Sequence, residues 1–190
     1  MGDPSVVDAG WVGEVVVNRQ VRAELVSLLP RLRRFAYGLT GSLDVGDDLV
    51  QSACERALMR LDHFQPGTRL DSWMYRIVQN LWIDQRRAQR ARPEAGMEPA
   101  DIERLAVGNA ERELDSRLAL AAVQRAVAAL PEDQRAVLLL VCVEGTAYKT
   151  AADILDIPLG TVMSRLARAR LAVGRALEGE QAAATSKVKG

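Results

Sequence analysis

Tyr148-Lys149-Thr150-Ala151-Ala152-Asp153-Ile154-Leu155-Asp156-Ile157-Pro158-Leu159-Gly160-Thr161-Val162-Met163-Ser164-Arg165-Leu166-Ala167-Arg168-Ala169-Arg170 is the stretch on which the fold turns. A short helix ends in Asp156-Ile157, and Pro158 suits the first turn of the next helix, because a missing N–H costs nothing there. Ala151 and Ala152 supply the small residues that two steeply crossed helices need at their contact. The second helix sets Val162, Leu166, Ala169, Val173 and Leu177 on an inner face and leaves Thr161, Met163, Ser164, Arg165 and Arg168 outside. Residues 146–176 therefore read as a helix-turn-helix, with an ordinary helical hairpin as the competing reading of this segment alone. The outer residues near the start of such a second helix are the ones that reach a DNA major groove. Ser164, Arg165 and Arg168 can bond phosphates or base edges, whereas Met163 offers only apolar contact, for instance to a thymine methyl.

Helical periodicity continues on both sides of this motif. From about Glu113, Leu118, Ala122, Ala126 and Leu130 form one stripe that stops at Pro131, and Val137, Leu138, Leu140 and Val141 form another that runs to Gly145. In residues 70–82, Leu70, Trp73, Met74, Ile77, Val78, Leu81 and Trp82 recur at steps of three and four, one continuous apolar face. Val45, Leu49, Val50, Ala53, Cys54, Ala57, Leu58 and Leu61 repeat the pattern, with Asp44 placed to cap and Asp47 and Asp48 in the first turn, where the helix dipole favours negative charge. Upstream, Leu25, Leu28, Leu29, Leu32, Phe35 and Leu39 outline a helix pair or one helix kinked at Pro30, closed by Gly38 and Gly41. Arg92-Pro93-Glu94-Ala95-Gly96-Met97-Glu98-Pro99 interrupts everything, since two prolines and a glycine stop a helix. The predicted fold is all-α: two small helical domains, 22–92 and 113–178, joined by a flexible acidic linker over 93–112. An N-terminal extension of residues 1–21 has no assigned role, and a frayed tail occupies 179–190.

Composition narrows the function classes. The 190 residues carry 25 Lys+Arg against 25 Asp+Glu and are 48% hydrophobic, which argues against disorder throughout. Charged or amide side chains interrupt every apolar run before the roughly 20 residues of a membrane span, and the first twenty residues lack a secretory pattern. A cytoplasmic protein without membrane insertion is expected. The two cysteines, Cys54 and Cys142, sit in apolar helical patterns without a metal-ligand spacing and read as small buried hydrophobes. With His63 as the only histidine, no multi-histidine metal site can be built; a Ser/His/Asp triad is not expected, and no phosphate-binding glycine loop is visible. The expectation is no enzyme, no cofactor, no metal and no small-molecule substrate.

The neutral total conceals a pattern along the chain. Residues 69–92 hold six arginines against Asp71 and Asp84, a net +4; residues 93–115 hold seven carboxylates against Arg104 and Arg112, a net −5; residues 161–178 hold four arginines against Glu178. Two basic helices with an acidic connector between them fit two modules that each meet a polyanion. Four of the chain's aromatic residues, Phe64, Trp73, Tyr75 and Trp82, cluster just before the first arginine run. Trp73 and Trp82 lie on the apolar stripe and read as core, while Arg76, Gln79, Asn80, Gln85 and Arg87 occupy the other face. The loop His63-Phe64-Gln65-Pro66-Gly67-Thr68-Arg69 is suited to receiving an unstacked base.

Both modules together resemble the extracytoplasmic-function sigma factors of bacterial RNA polymerase, small members of the sigma-70 class. Asp47-Asp48-Leu49-Val50-Gln51, then Gly67-Thr68-Arg69-Leu70-Asp71-Ser72-Trp73-Met74-Tyr75-Arg76-Ile77-Val78-Gln79-Asn80 with Asp84, Arg86 and Arg87, is similar to region 2 of that family. Leu130-Pro131-Glu132-Asp133-Gln134-Arg135, Gly145, Tyr148 and the run from Ile157 to Arg170 are similar to region 4. The resemblance implies a sigma factor that binds core RNA polymerase and directs it to promoter DNA, held by an anti-sigma factor and serving a stress or envelope response. It assigns Asp47, Asp48, Leu49 and Gln51 to the polymerase. Thr68, Arg69, Arg76, Asn80, Arg86, Arg87 and Arg90 go to the −10 element and its melted strand, and Thr161, Met163, Ser164, Arg165 and Arg168 to the −35 element.

The sequence also departs from the family pattern. Gln51-Ser52-Ala53 stands where Gln-Glu-Thr is common, Tyr148-Lys149-Thr150-Ala151-Ala152 replaces the usual Tyr-Glu-Glu-Ile-Ala, and Met163 and Ala167 stand in the recognition helix. Its polymerase contacts and −35 preference therefore do not transfer from a relative. The alternative reading is a sigma-like decoy that binds an anti-sigma factor without initiating transcription, against which the arginines of both modules argue. A simple helix-turn-helix repressor would leave the helix from Trp73 to Arg92 unexplained.

Overall fold

The computed structural model describes residues 9–61, 64, 68–91 and 112–188, and among these there is no strand. The first unit is built of α1 (Ala9–Thr40), α2 (Leu43–Met59) and α3 (Leu70–Ala91). The second contains α4 (Arg112–Ala128), α5 (Glu132–Leu138), a π-helical turn (Leu139–Val143), α6 (Tyr148–Leu155) and α7 (Leu159–Val188). The acidic connector, apart from Arg112, lies outside the described residues, as do His63 and residues 65–67 of the loop before α3.

α1 is one continuous helix through Pro30, with Val21, Leu25, Leu28, Leu32, Phe35, Ala36 and Leu39 buried on a single face. Pro30 is on the exposed side, where the carbonyl that loses its helical donor can meet water. The helix ends where Gly41, at φ +74°, donates its N–H to the Tyr37 carbonyl at 2.8 Å. Ser42, not Asp44, caps α2: its Oγ accepts from the Val45 N–H, and Asp44 occupies the first turn. Asp47 lies beyond that turn and faces α1, where Arg33 Nε donates to its Oδ1 at 2.7 Å. α3 buries Leu70, Met74, Tyr75, Val78, Leu81 and Trp82 against α1 and α2, and Phe35 meets Tyr75 edge-on with ring centroids 5.1 Å apart. Edge-to-face packing of this kind adds about 0.5–1.5 kcal/mol beyond area burial.

In the second unit Ala151, Ala152 and Ile154 of α6 pack on Val162, Leu166 and Ala169 of α7, the inner face expected from the sequence. The turn between them passes through Asp156 in the left-handed conformation, φ 52° and ψ 50°. α7 runs to Val188, so residues 179–188 are helical rather than a frayed tail. Glu178-Gly179-Glu180-Gln181-Ala182-Ala183-Ala184 explains this, because one glycine amid strong helix formers does not stop a helix. Leu118 is 59% exposed, so the α4 stripe is buried only from Ala126 onward.

The two units share one hydrophobic core, in which α1 and α3 residues continue into Leu130, Val137, Leu139, Leu140 and Ile154. Gly38 makes the closest approach possible: a Cβ there would lie 2.5 Å from Leu139 Cδ2. The sequence marks Gly38 as a helix stop, but it lies inside α1 and serves as a seat for the π-turn.

Candidate nucleic-acid interface

Phe64 and Trp73 stand beside each other at the start of α3, centroids 5.3 Å apart and tilted by 45°, at one wall of a cleft of about 480 Å³. Thr68, Arg69, Ser72 and Arg76 continue that wall; Thr150, Asp153 and Ile154 of α6 form the opposite one. Arg69 is a bidentate donor to Asp71, Nε to Oδ1 at 3.1 Å and Nη2 to Oδ2 at 2.7 Å. That hydrogen bond outweighs burial and holds the Asp71 carboxyl below its ordinary range, and Asp71 in turn accepts the Ser72 N–H at the first turn of α3. The cleft thus has aromatic faces for stacking and a polar rim for phosphate and base edges.

The remaining −10 candidates spread along α3. Asn80 and Arg87 are exposed, whereas Arg76 donates to the Asp153 carbonyl of α6. Arg86 and Arg90 both donate to Glu132 Oε1 of α5, at 2.7 and 3.1 Å, and the Arg86 guanidinium also lies 5.5 Å from the centre of the Trp82 ring. Gln79 does not stand with Asn80 on the outer face; it is 7% exposed and its Oε1 has no partner among the described residues. The seven −10 residues therefore form no single free surface in this state.

At the start of α7, Met163, Ser164 and Arg168 face solvent, with Thr161 half-buried beside them. Arg168 Nε donates to the Ser164 carbonyl at 3.3 Å, and Ser164 Oγ donates to the Thr161 carbonyl at 3.1 Å. Arg165 is half-buried and paired with Asp133 Oδ2 of α5 at 2.9 Å, so it is tied to its own unit's scaffold. In the first unit, Asp48 and Gln51 are exposed on α2, and Gln51 donates to Glu55 at 3.0 Å. Leu49 is fully buried and belongs to the core, a correction to its place among the polymerase contacts. What the sequence did not single out there is a groove of about 350 Å³ between α1 and α2, lined by Leu29, Pro30, Arg33, Asp47, Val50 and Cys54. Cys142 is exposed, not buried, and Arg170 Nη2 approaches its Sγ at 3.4 Å.

The most consequential group missed in the sequence is Glu144. Its side chain is completely buried, and among the described residues its donors come from the first unit: Arg34 Nε to Oε1 at 2.8 Å, Arg34 Nη2 to Oε2 at 3.1 Å, Arg31 Nε to Oε2 at 3.2 Å and the Tyr75 hydroxyl to Oε2 at 2.7 Å. Burial alone would raise the carboxyl, but the hydrogen bonds from Arg34, Tyr75 and Arg31 and the charge of Arg34 together outweigh it and hold it below its ordinary range. Burial and the adjacent carboxylate push the Tyr75 hydroxyl far above its ordinary range, so it stays a donor. A lone carboxylate ending the apolar run Val137–Val143 was the available signal.

A helical unit with a basic, aromatic-flanked helix, followed by a helix-turn-helix unit, defines a two-module DNA-binding protein of transcription. Residues 25–92 match the family model for Sigma-70 region 2, and residues 120–173 match that for Sigma-70, region 4. The chain is 36% identical over 150 residues to the ECF RNA polymerase sigma factor EcfG of Rhodopseudomonas palustris, covering 79% of this chain and 81% of the relative. It is 34% identical over 134 residues to the ECF RNA polymerase sigma-E factor of Escherichia coli, covering 66% of this chain and 70% of that one. The sigma factor RpoE of Bartonella quintana, solved in complex with the anti-sigma factor NepR, superposes with a TM-score of 0.71 at 28% identity, over 84% of this chain and 98% of that one. The chain belongs to the ECF RNA polymerase sigma factors, a family of transcription regulators rather than enzymes. No helix among the described residues is long and apolar enough to cross a membrane.

Proposed function

We propose that this sigma factor binds core RNA polymerase through the α1–α2 face around Asp48 and Gln51 and directs it to promoters with two spaced elements. In this reading region 2 spans 22–92 and region 4 spans 113–178. The cleft beside Phe64 and Trp73, with Thr68, Arg69, Arg76, Asn80, Arg86, Arg87 and Arg90, takes the melted −10 strand. Thr161, Met163, Ser164, Arg165 and Arg168 read the −35 duplex. An anti-sigma factor holds the protein inactive until a stress or envelope signal arrives, and the protein works in the cytoplasm. The observation that carries the reading is the aromatic cleft at the head of a basic α3, in one chain with a helix-turn-helix whose exposed residues face away from the core.

The decoy reading draws support from one feature: Arg76, Arg86, Arg90 and Arg165 are engaged within the chain rather than presented to DNA. Holoenzyme assembly separates the two. Gel filtration of purified core polymerase with this protein should give a 1:1 complex, weakened in the Asp48→Ala, Gln51→Ala double variant. A chain that binds an anti-sigma factor but never co-elutes with core polymerase would replace the sigma reading with the decoy.

A further inference from the structure

We infer that Met163 is a specificity-determining residue of the recognition helix: its side chain is an apolar subsite for the 5-methyl group of a thymine in the −35 duplex, beside the base edge that Arg168 takes. This rests on the reading of the outer face of α7 as the −35 site, and it names the base that face selects.

α7 carries two apolar lines with different surroundings. Val162, Leu166 and Ala169 are buried in the shared core. Leu159, Met163 and Ala167, four residues apart, form a second line outside that core; all three are exposed, Met163 at 53%. One exposed apolar side chain on a helix is ordinary. Met163 is set apart by its place, in the second turn of the second helix of a helix-turn-helix, where side chains meet base edges in the major groove. Its helix is also basic there, with Arg165, Arg168, Arg170 and Arg175 against Glu178 over residues 161–178. An anionic duplex is the partner whose charge fits this surface.

The polar members of the face narrow what is left for Met163. Arg165 is half-buried and held by Asp133 Oδ2 at 2.9 Å, so Arg168 is the cation free to reach a base edge. Arg168 lies back along α7 with its Nε on the Ser164 carbonyl at 3.3 Å, which makes Arg168 and Ser164 one hydrogen-bonding unit suited to a guanine edge. Between that unit and Met163 the outward surface consists of Gly160 and Ala167, and a Cβ at Gly160 would meet no atom within 4 Å. The low centre lets the helix approach the groove floor, with Met163 reaching in on one side and Arg168 on the other. A thioether has no donor and only a weak acceptor, so Met163 cannot select a base by hydrogen bonding. The thymine methyl is the apolar feature of the major groove. The other bases offer donors and acceptors there, which Met163 would strip of water without replacing.

The test uses holoenzyme assembled from purified core polymerase and the full chain. Duplexes randomised across the −35 region, upstream of a start site the holoenzyme uses, are selected for binding. The enriched duplex is then remade with deoxyuridine in place of each −35 thymine in turn, which removes the methyl group and leaves base pairing unchanged. One such replacement should weaken binding by the parent about fourfold, the effect of one buried methyl group. Met163→Ala holoenzyme should bind the thymine and deoxyuridine duplexes equally. A parent indifferent to every replacement overturns the inference, and so does an equal penalty in the parent and in Met163→Ala. Arg168→Ala, carried through the same selection, tells this failure from failure of the underlying reading. If the parent enriches no −35 sequence, or Arg168→Ala enriches the same one with the same affinity, the outer face of α7 does not read the −35 duplex. If Arg168→Ala loses the preference while deoxyuridine changes nothing, that reading stands and only the methyl subsite is refuted.

Discussion

Removing a single oxygen atom measures the polar contact between the two units. In Tyr75→Phe the ring keeps its edge-on contact with Phe35 and its burial, and only the 2.7 Å hydrogen bond to Glu144 Oε2 disappears. A hydrogen bond to a charged group contributes about 1.5–3 kcal/mol net. Oε2 retains Arg34 Nη2 at 3.1 Å and Arg31 Nε at 3.2 Å, which places the loss at the lower end, about 1.5 kcal/mol, roughly tenfold in the unfolding equilibrium. Urea unfolding followed by tryptophan fluorescence, with an unchanged m-value, measures it. The decisive comparison is the same substitution made in Glu144→Ala, where the hydroxyl has no carboxylate to serve and the change should shrink to a few tenths of a kcal/mol. A coupling near zero, with Tyr75→Phe costing the same in both backgrounds, would refute the assignment of the hydroxyl to Glu144.

Acidification should act on the same cluster. The folded Glu144 carboxyl lies below its ordinary value of 4.5, so its contribution is fully present above that value and is lost as pH falls through the depressed one. Stability followed by urea unfolding should hold at neutral pH and lose this contribution only in the acid range, and Glu144→Gln should flatten that dependence. Phe35→Ala, at a fully buried position, should cost about 3–5 kcal/mol and lower the midpoint of thermal unfolding. Arg168→Ala should weaken recognition of the −35 duplex by about 1–3 kcal/mol, seen as loss of the upstream footprint of the holoenzyme while the downstream footprint persists.

The helices were legible because each buries one stripe. Leu70, Met74, Val78, Leu81 and Trp82 declare the inner face of α3, and Val162, Leu166 and Ala169 that of α7, with no knowledge of what they pack against. Ends were less legible, since capping is decided by local hydrogen bonds: Ser42 takes the cap that Asp44 was expected to take, and α7 continues past Gly179. Periodicity alone could place Met163, Ser164 and Arg168 on an outer face, but it could not show that Arg165 is half-buried against Asp133. The docking of the two units could not, because Glu144 stands 110 and 113 residues from its guanidinium partners Arg34 and Arg31. Nothing in local pattern pairs them. The same blindness misplaced Leu49, whose motif position suggested contact with a partner while its packing makes it core. Gly38 shows the converse: its place at the end of an apolar run resembled a stop signal, and only the approach of Leu139 explains it.

A sigma factor acts by giving core RNA polymerase a promoter preference. In vitro transcription with purified core polymerase on a genomic fragment library, with and without the protein, and with start sites mapped, tests it most directly. New, defined start sites should appear that share two spaced upstream elements and disappear when the protein is left out. Initiation identical with and without the protein, under conditions where a known sigma factor works, would contradict it.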